Sequence, residues 1–210
     1  MKLNIKSLFN ILNAVREYLF ASQKLSKKFQ KISDIASLEI FISERSAYVT
    51  QTTLYGYLKT RMGLKYTIMF SEDIFIQSVN KSKWNIFVIA ASDLTLYSIS
   101  RLISKNLIRE NKYDLVNIYQ NVMSDQLSKG LSKELYDSAL NNFRERIKII
   151  NIFRYCELTP FVSSGQALYN WAPIADHLKV LDKEIVLNSV KNKWNTVIND
   201  FEKLISKFET

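Results

Sequence analysis

Four glycines, two prolines, one cysteine and one histidine are all that 210 residues provide of the types that most often punctuate turns, staple small folds or carry metal and proton chemistry. Average usage is roughly 7% glycine and 5% proline, so β-hairpins and tight loops lack their usual residues and long helices are favoured. The single Cys156 excludes an intrachain disulfide framework and a multi-cysteine zinc site, and it suits a reducing, cytoplasmic compartment. With His177 alone, a di-iron bundle built on two Glu-x-x-His pairs cannot be assembled, and zinc hydrolase motifs fail for the same reason. No G-x-x-x-x-G-K-[ST] or G-x-G-x-x-G occurs, so neither phosphate-cradling loop is present. No cofactor or metal is expected.

Long uninterrupted apolar runs are missing as well. The nearest approach, "WNIFVIAASDLTLYSISRLI" at 84–103, contains Asp93 and Arg101. Each charge costs about 2.5–3.5 kcal/mol at a bilayer centre on insertion scales, so the segment reads as the core helix of a bundle. Near the start, Lys6, Asn10, Asn13 and Arg16 interrupt the apolar residues, and no secretory signal is expected. A transit presequence is matched incompletely, because the first 33 residues hold one arginine and few serines.

What the chain does have is 47% apolar residues, enough for a substantial core, and an uneven distribution of charge within its net +9. Residues 1–70 carry 11 cations and 4 anions, whereas 71–140 carry 8 and 8 and 141–210 carry 10 and 8. Within 1–33 seven cations (Lys2, Lys6, Arg16, Lys24, Lys27, Lys28, Lys31) face one anion, Glu17. Leu8, Leu12, Val15 and Leu19 fall on one helix face there, so 5–31 is predicted to be a basic amphipathic helix.

The remaining pattern predicts an all-α, compact bundle of about six helices, with residues 1–33 as an appendage and 34–210 as a single domain. Ser33 or Asp34 caps a second helix that stops at Gly63; a third begins at Ser71 with Glu72 and Asp73 in its first turn and runs to about Lys105, with a possible break at Asn80–Ser82. Further helices are predicted over about 112–128, from Ser132 to about Glu157, and from a cap at Asp182 to the end, with 159–178 the most loop-like stretch and the place for short helices.

Two constellations stand out. Glu44, Tyr48, Gln51, Tyr55, Leu58 and Met62 share one stripe of the second helix, which either packs as a hydrogen-bonded core network or lines a ligand groove. On the third helix Asp93, Tyr97 and Arg101 form an i, i+4, i+8 ladder. Asp93 and Arg101 lie about 12 Å apart along the axis, so Tyr97 is their only bridge, and Arg45 or Arg61 is the expected partner of a buried Asp93. A nucleophilic set of Ser163 or Ser164 with His177 and Asp176 lacks the G-x-S-x-G elbow, so "SSG" reads as a capping loop.

The functional expectation is a non-catalytic binding or assembly protein. Its N-terminal helix contacts an acidic partner protein or an anionic, peripheral membrane surface through Arg16, Lys24, Lys27, Lys28 and Lys31. The alternative is a small-ligand binder or enzyme with a pocket between the second and third helices lined by Glu44, Gln51, Tyr55, Asp93, Tyr97 and Arg101. Nucleic acid ranks lower, since no recognised module accompanies the charge.

Overall fold

The computed structural model describes residues 31–109 and 114–208 and is all-α. Seven α-helices occur among the described residues: α1 Ile35–Met62, α2 Lys65–Met69, α3 Asp73–Ser104, α4 Leu115–Leu127, α5 Lys133–Ile149, α6 Val162–Trp171 and α7 Asp176–Leu204, with one turn of 3-10 helix at Tyr155–Glu157. The predicted helix over 5–31, with Arg16, Lys24, Lys27 and Lys28, lies outside the described residues; Lys31 is exposed.

The boundaries follow local chemistry. At the start of α1 the Asp34 carboxylate accepts the Ser37 N–H (2.7 Å) and the Ser37 hydroxyl accepts the Asp34 N–H (3.2 Å), a reciprocal capping box. The helix ends at Gly63, whose φ of 52° suits a residue without Cβ. Asp114 and Ser132 cap α4 and α5 without the reciprocal bond, each side-chain oxygen accepting backbone N–H groups of the first turn.

Four boundaries differ from the sequence pattern. α3 begins at Asp73 and not at Ser71, whose hydroxyl donates to the Ile68 carbonyl (2.6 Å) and caps nothing. α3 runs unbroken through Asn80–Ser82, where the Ser82 hydroxyl reaches the Trp171 carbonyl (2.5 Å) at the end of α6. α5 stops at Ile149 instead of about Glu157, because the Asn151 side chain accepts the Phe153 N–H (3.1 Å) and turns the chain. α7 begins at Asp176, so Asp182 is no cap but an internal residue, its carboxylate taken by Arg61 and by the Tyr57 hydroxyl (2.9 Å).

α3 sits at the centre. Between Ile86 and Leu102 every residue but Ile89 and Arg101 is buried, packed by α1, α4, α5, the 3-10 turn and α6. That encirclement explains its even apolar pattern: it is long and apolar enough to cross a membrane by length and composition, yet 83% of its most apolar window is buried among the other helices. Tyr119 of α4 donates to the Val88 carbonyl (2.8 Å) and stacks on Phe143 of α5 (4.3 Å), so two outer helices are fixed to the centre by one side chain.

α7 is pinned along its length by ion pairs. Asp182 pairs with Arg61, Asp200 with Arg45 (2.8 Å), and Glu202 with Arg101 (2.6 Å) and Lys105 (2.7 Å). Its C-terminal end also holds the start of the described chain: the Ile32 N–H donates to the Leu204 carbonyl (2.9 Å), the Ser206 N–H to the Ile32 carbonyl (3.1 Å), and the Ile32 side chain is 1% exposed. Ile32→Ala should therefore lower the unfolding free energy by about 2–4 kcal/mol, measured by urea denaturation; a change below about 0.5 kcal/mol would show that residue 32 adds nothing to the core.

Arg61 first, and Tyr57 with it, hold the Asp182 carboxyl below the ordinary carboxylate range. Because the folded value is the lower one, the stabilisation is complete above the unfolded value of about 3.9 and is lost as pH falls through the folded value. Asp182→Asn should be less stable than wild type at neutral pH, with the gap in melting temperature closing on acidification below about pH 4; a gap that does not narrow would contradict the pairing.

Candidate functional site

Among the described residues Asp93 is the one carboxylate buried completely, at 0% exposure in the middle of α3. Its Oδ1 accepts from Arg146 Nη2 of α5 at 2.5 Å; its Oδ2 accepts the Ser164 backbone N–H at 2.8 Å and also the Ser164 hydroxyl. Ser164 is the third residue of α6, where backbone N–H groups have no partner within the helix. Phe161, the residue before α6, supplies no side-chain cap. Asp93 therefore caps α6 from a different helix and places its charge at the positive end of the dipole.

Arg146 organises the rest. Its Nη1 donates to Ser92 Oγ (2.7 Å), and its Nη2 donates also to the Tyr155 hydroxyl (2.8 Å) and lies 3.3 Å from Ser163 Oγ. The Tyr155 hydroxyl in turn donates to the Pro160 carbonyl (2.5 Å). Burial pushes the Asp93 carboxyl up, and the facing Arg146 charge and the Ser164 donors oppose that rise. Burial pulls Arg146 down, but the Asp93 charge outweighs it and the guanidinium is held above its usual value. Burial, then the Asp93 charge, raises the Tyr155 hydroxyl.

Chemically this is a closed centre. Every oxygen of Asp93 has a donor, and the carboxylate presents no surface to a solute. Arg45 and Arg61, the partners expected from the sequence, are not its partners: Arg45 pairs with Asp200 and Arg61 with Asp182. The ladder on α3 also divides. Tyr97 packs its ring against Phe161 (5.2 Å) and Phe201 (6.0 Å), with its hydroxyl pushed up to about 12 mainly by burial. Arg101 reaches outward to Glu202, whose carboxyl burial would raise but which Arg101 and Lys105 hold low. Tyr97 bridges nothing.

The stripe on α1 splits as well. Glu44 and Gln51 line a cleft of about 280 Å³ between α1, α3 and α4, with Lys83, Trp84 and Lys129 on the opposite wall. Tyr55 turns away to Phe70 (6.5 Å), and Tyr48 lies beside Lys193 (5.9 Å from the ring centroid) on α7. The structure thus brings Glu44 and Gln51 together and leaves Tyr55, Asp93, Tyr97 and Arg101 elsewhere. "SSG" lies inside α6 and is no loop, while His177 and Asp176 are exposed at the start of α7, away from Ser163 and Ser164. No group of three His, Cys, Asp or Glu side chains suited to a metal occurs among the described residues.

The sequence pattern missed Arg146, Tyr155 and Ser164 as partners of Asp93. The available signal was a pair of incomplete elements: an acid stranded in an apolar helix, and a helix starting at Val162 with no capping residue before it. No family model matches the chain, and no curated protein or solved structure matches it.

Removing one member of the pair strands the other in the interior, so Asp93→Asn and Arg146→Met should each cost about 3–5 kcal/mol of stability. The double variant should cost clearly less than the sum of the two. Additivity within about 0.5 kcal/mol in a denaturation cycle would show that the two side chains do not act together.

Proposed function

We propose that this chain is a non-catalytic binding or assembly protein that contacts an acidic partner protein or an anionic membrane surface through its N-terminal basic segment. The observation that carries the reading is the charge distribution: residues 1–33 hold seven cations and one anion, while the remaining 177 residues hold 22 and 19. A cationic, amphipathic stretch with Phe9, Tyr18, Phe20 and Phe29 is suited to insertion at an anionic lipid interface.

Two features of the bundle support it. Ile32 is fixed between the start of α1 and the end of α7, so the basic segment leaves from an anchored point rather than from a loose tail. Asp93, the best acid–base candidate in the sequence, is occupied by Arg146 and Ser164, which favours a bracing role for it.

The test is flotation of the full-length protein with neutral vesicles and with vesicles containing anionic lipid, at low and high salt, beside a variant with Arg16, Lys24, Lys27, Lys28 and Lys31 all changed to Glu. Binding confined to anionic vesicles, weakened by salt and abolished in the variant, is the expected result. Equal behaviour of variant and wild type would overturn the reading, and tight salt-dependent binding of the wild type to duplex DNA alone would move the partner to nucleic acid.

A further inference from the structure

One face of α7 is only partly covered where α6 begins. Leu187, Lys191, Trp194 and Ile198 fall at i, i+4, i+7 and i+11, a single helix stripe, and with Leu158 and Val162 opposite they border a groove of about 480 Å³. The base is a stacked pair, Phe161 on Trp194, with ring centroids 4.2 Å apart and planes 14° apart. Leu158 and Val162 are 61% and 63% exposed, although both are apolar and face a concave surface. The volume lies within the roughly 300–1,000 Å³ of small-molecule sites.

The polar content of the groove is as specific as its apolar content. Its lining holds one charge, Lys191, and no carboxylate. Among the described residues Lys191 forms no ion pair, and the side-chain amides of Asn188 and Asn195, one turn to either side, make no hydrogen bond to the protein. An apolar trough with a cation and two amides at one edge is complementary to a molecule with a hydrocarbon chain and a single anionic head. The shape persists because α6 and α7 approach closely at its end: a Cβ on Gly165 would stand 3.0 Å from Leu187 Cδ2.

We infer that this groove binds a single-chain anionic amphiphile of the long-chain fatty carboxylate class, the alkyl chain lying between Val162 and Ile198 and the carboxylate meeting Lys191. The inference stands on α6 and α7 and is independent of the basic N-terminal segment.

The probe is laurate below its micellar concentration, with decanoate and dodecanol for comparison, titrated into the full chain while tryptophan emission is followed. Saturable 1:1 binding is expected, with laurate about fifteenfold tighter than decanoate, since each of its two additional buried methylenes contributes about fourfold. Laurate should also bind more tightly than dodecanol. Lys191→Gln should remove that preference for the acid, about three- to fivefold, and leave dodecanol unchanged. Leu187→Trp should fill the groove and abolish binding of both, with helicity checked by circular dichroism; if that variant fails to fold, the surface variant Lys191→Gln decides. Absence of laurate binding, or binding indifferent to head group and to Lys191, would overturn the inference. So would concentration-dependent dimerisation broken by Leu158→Glu without any laurate effect, since the groove would then belong to a second copy.

Discussion

A carboxylate with no access to water must be surrounded by donors, and Asp93 obtains them from two elements distant in sequence. Arg146 comes from the last turn of α5, and the N–H and hydroxyl of Ser164 come from the first turn of α6. α6 has no cap of its own, so its N-terminal dipole and the Asp93 charge stabilise each other. Tyr155 and the Pro160 carbonyl close the remaining side, which fixes the irregular stretch between α5 and α6. The surroundings of Asp93 thus set where α5 stops, how the chain returns, and where α6 starts.

Around that point the helices are arranged in two tiers. α3 is the encircled inner helix, and its small residues Ala90, Ala91, Ser92 and Ser98 let neighbours approach it closely. α7 is the outer clasp, held at three acidic positions by arginines from α1 and α3. Such partly exposed pairs are individually worth little, and their service is to fix the register of a 29-residue helix whose packing stripe also includes Trp194 and Phe201. Beside α6 the buried Trp194 forms a floor, with Leu187, Lys191 and Ile198 partly or fully exposed around it, and there the apolar groove opens.

Much of this was legible in the sequence where the determinant is local. The all-α class, the cap at Asp34, the stop at Gly63 and the cap at Ser132 all depend on residues within one turn of the boundary they specify. What was not legible depends on side chains meeting across the fold. Asp182 resembles a cap until Arg61, 121 residues earlier, claims its carboxylate. Asp93 lies 53 positions from Arg146 and 71 from Ser164, and periodicity carries no information about either distance. Tyr48 and Tyr55 share a stripe with Glu44 and Gln51, yet the stripe meets α7, Phe70 and the α3–α4 cleft in turn, so a face continuous in sequence faces three environments in space.

The central claim is that Asp93 and the start of α6 are one structural unit. Native-state hydrogen exchange at the Ser164 amide tests it most directly, since that amide has a side-chain acceptor 71 residues away in sequence rather than a helical one. The account predicts that Ser164 exchanges as slowly as the α3 core amides, through global unfolding alone. Exchange on the timescale of exposed helix N-termini would contradict it.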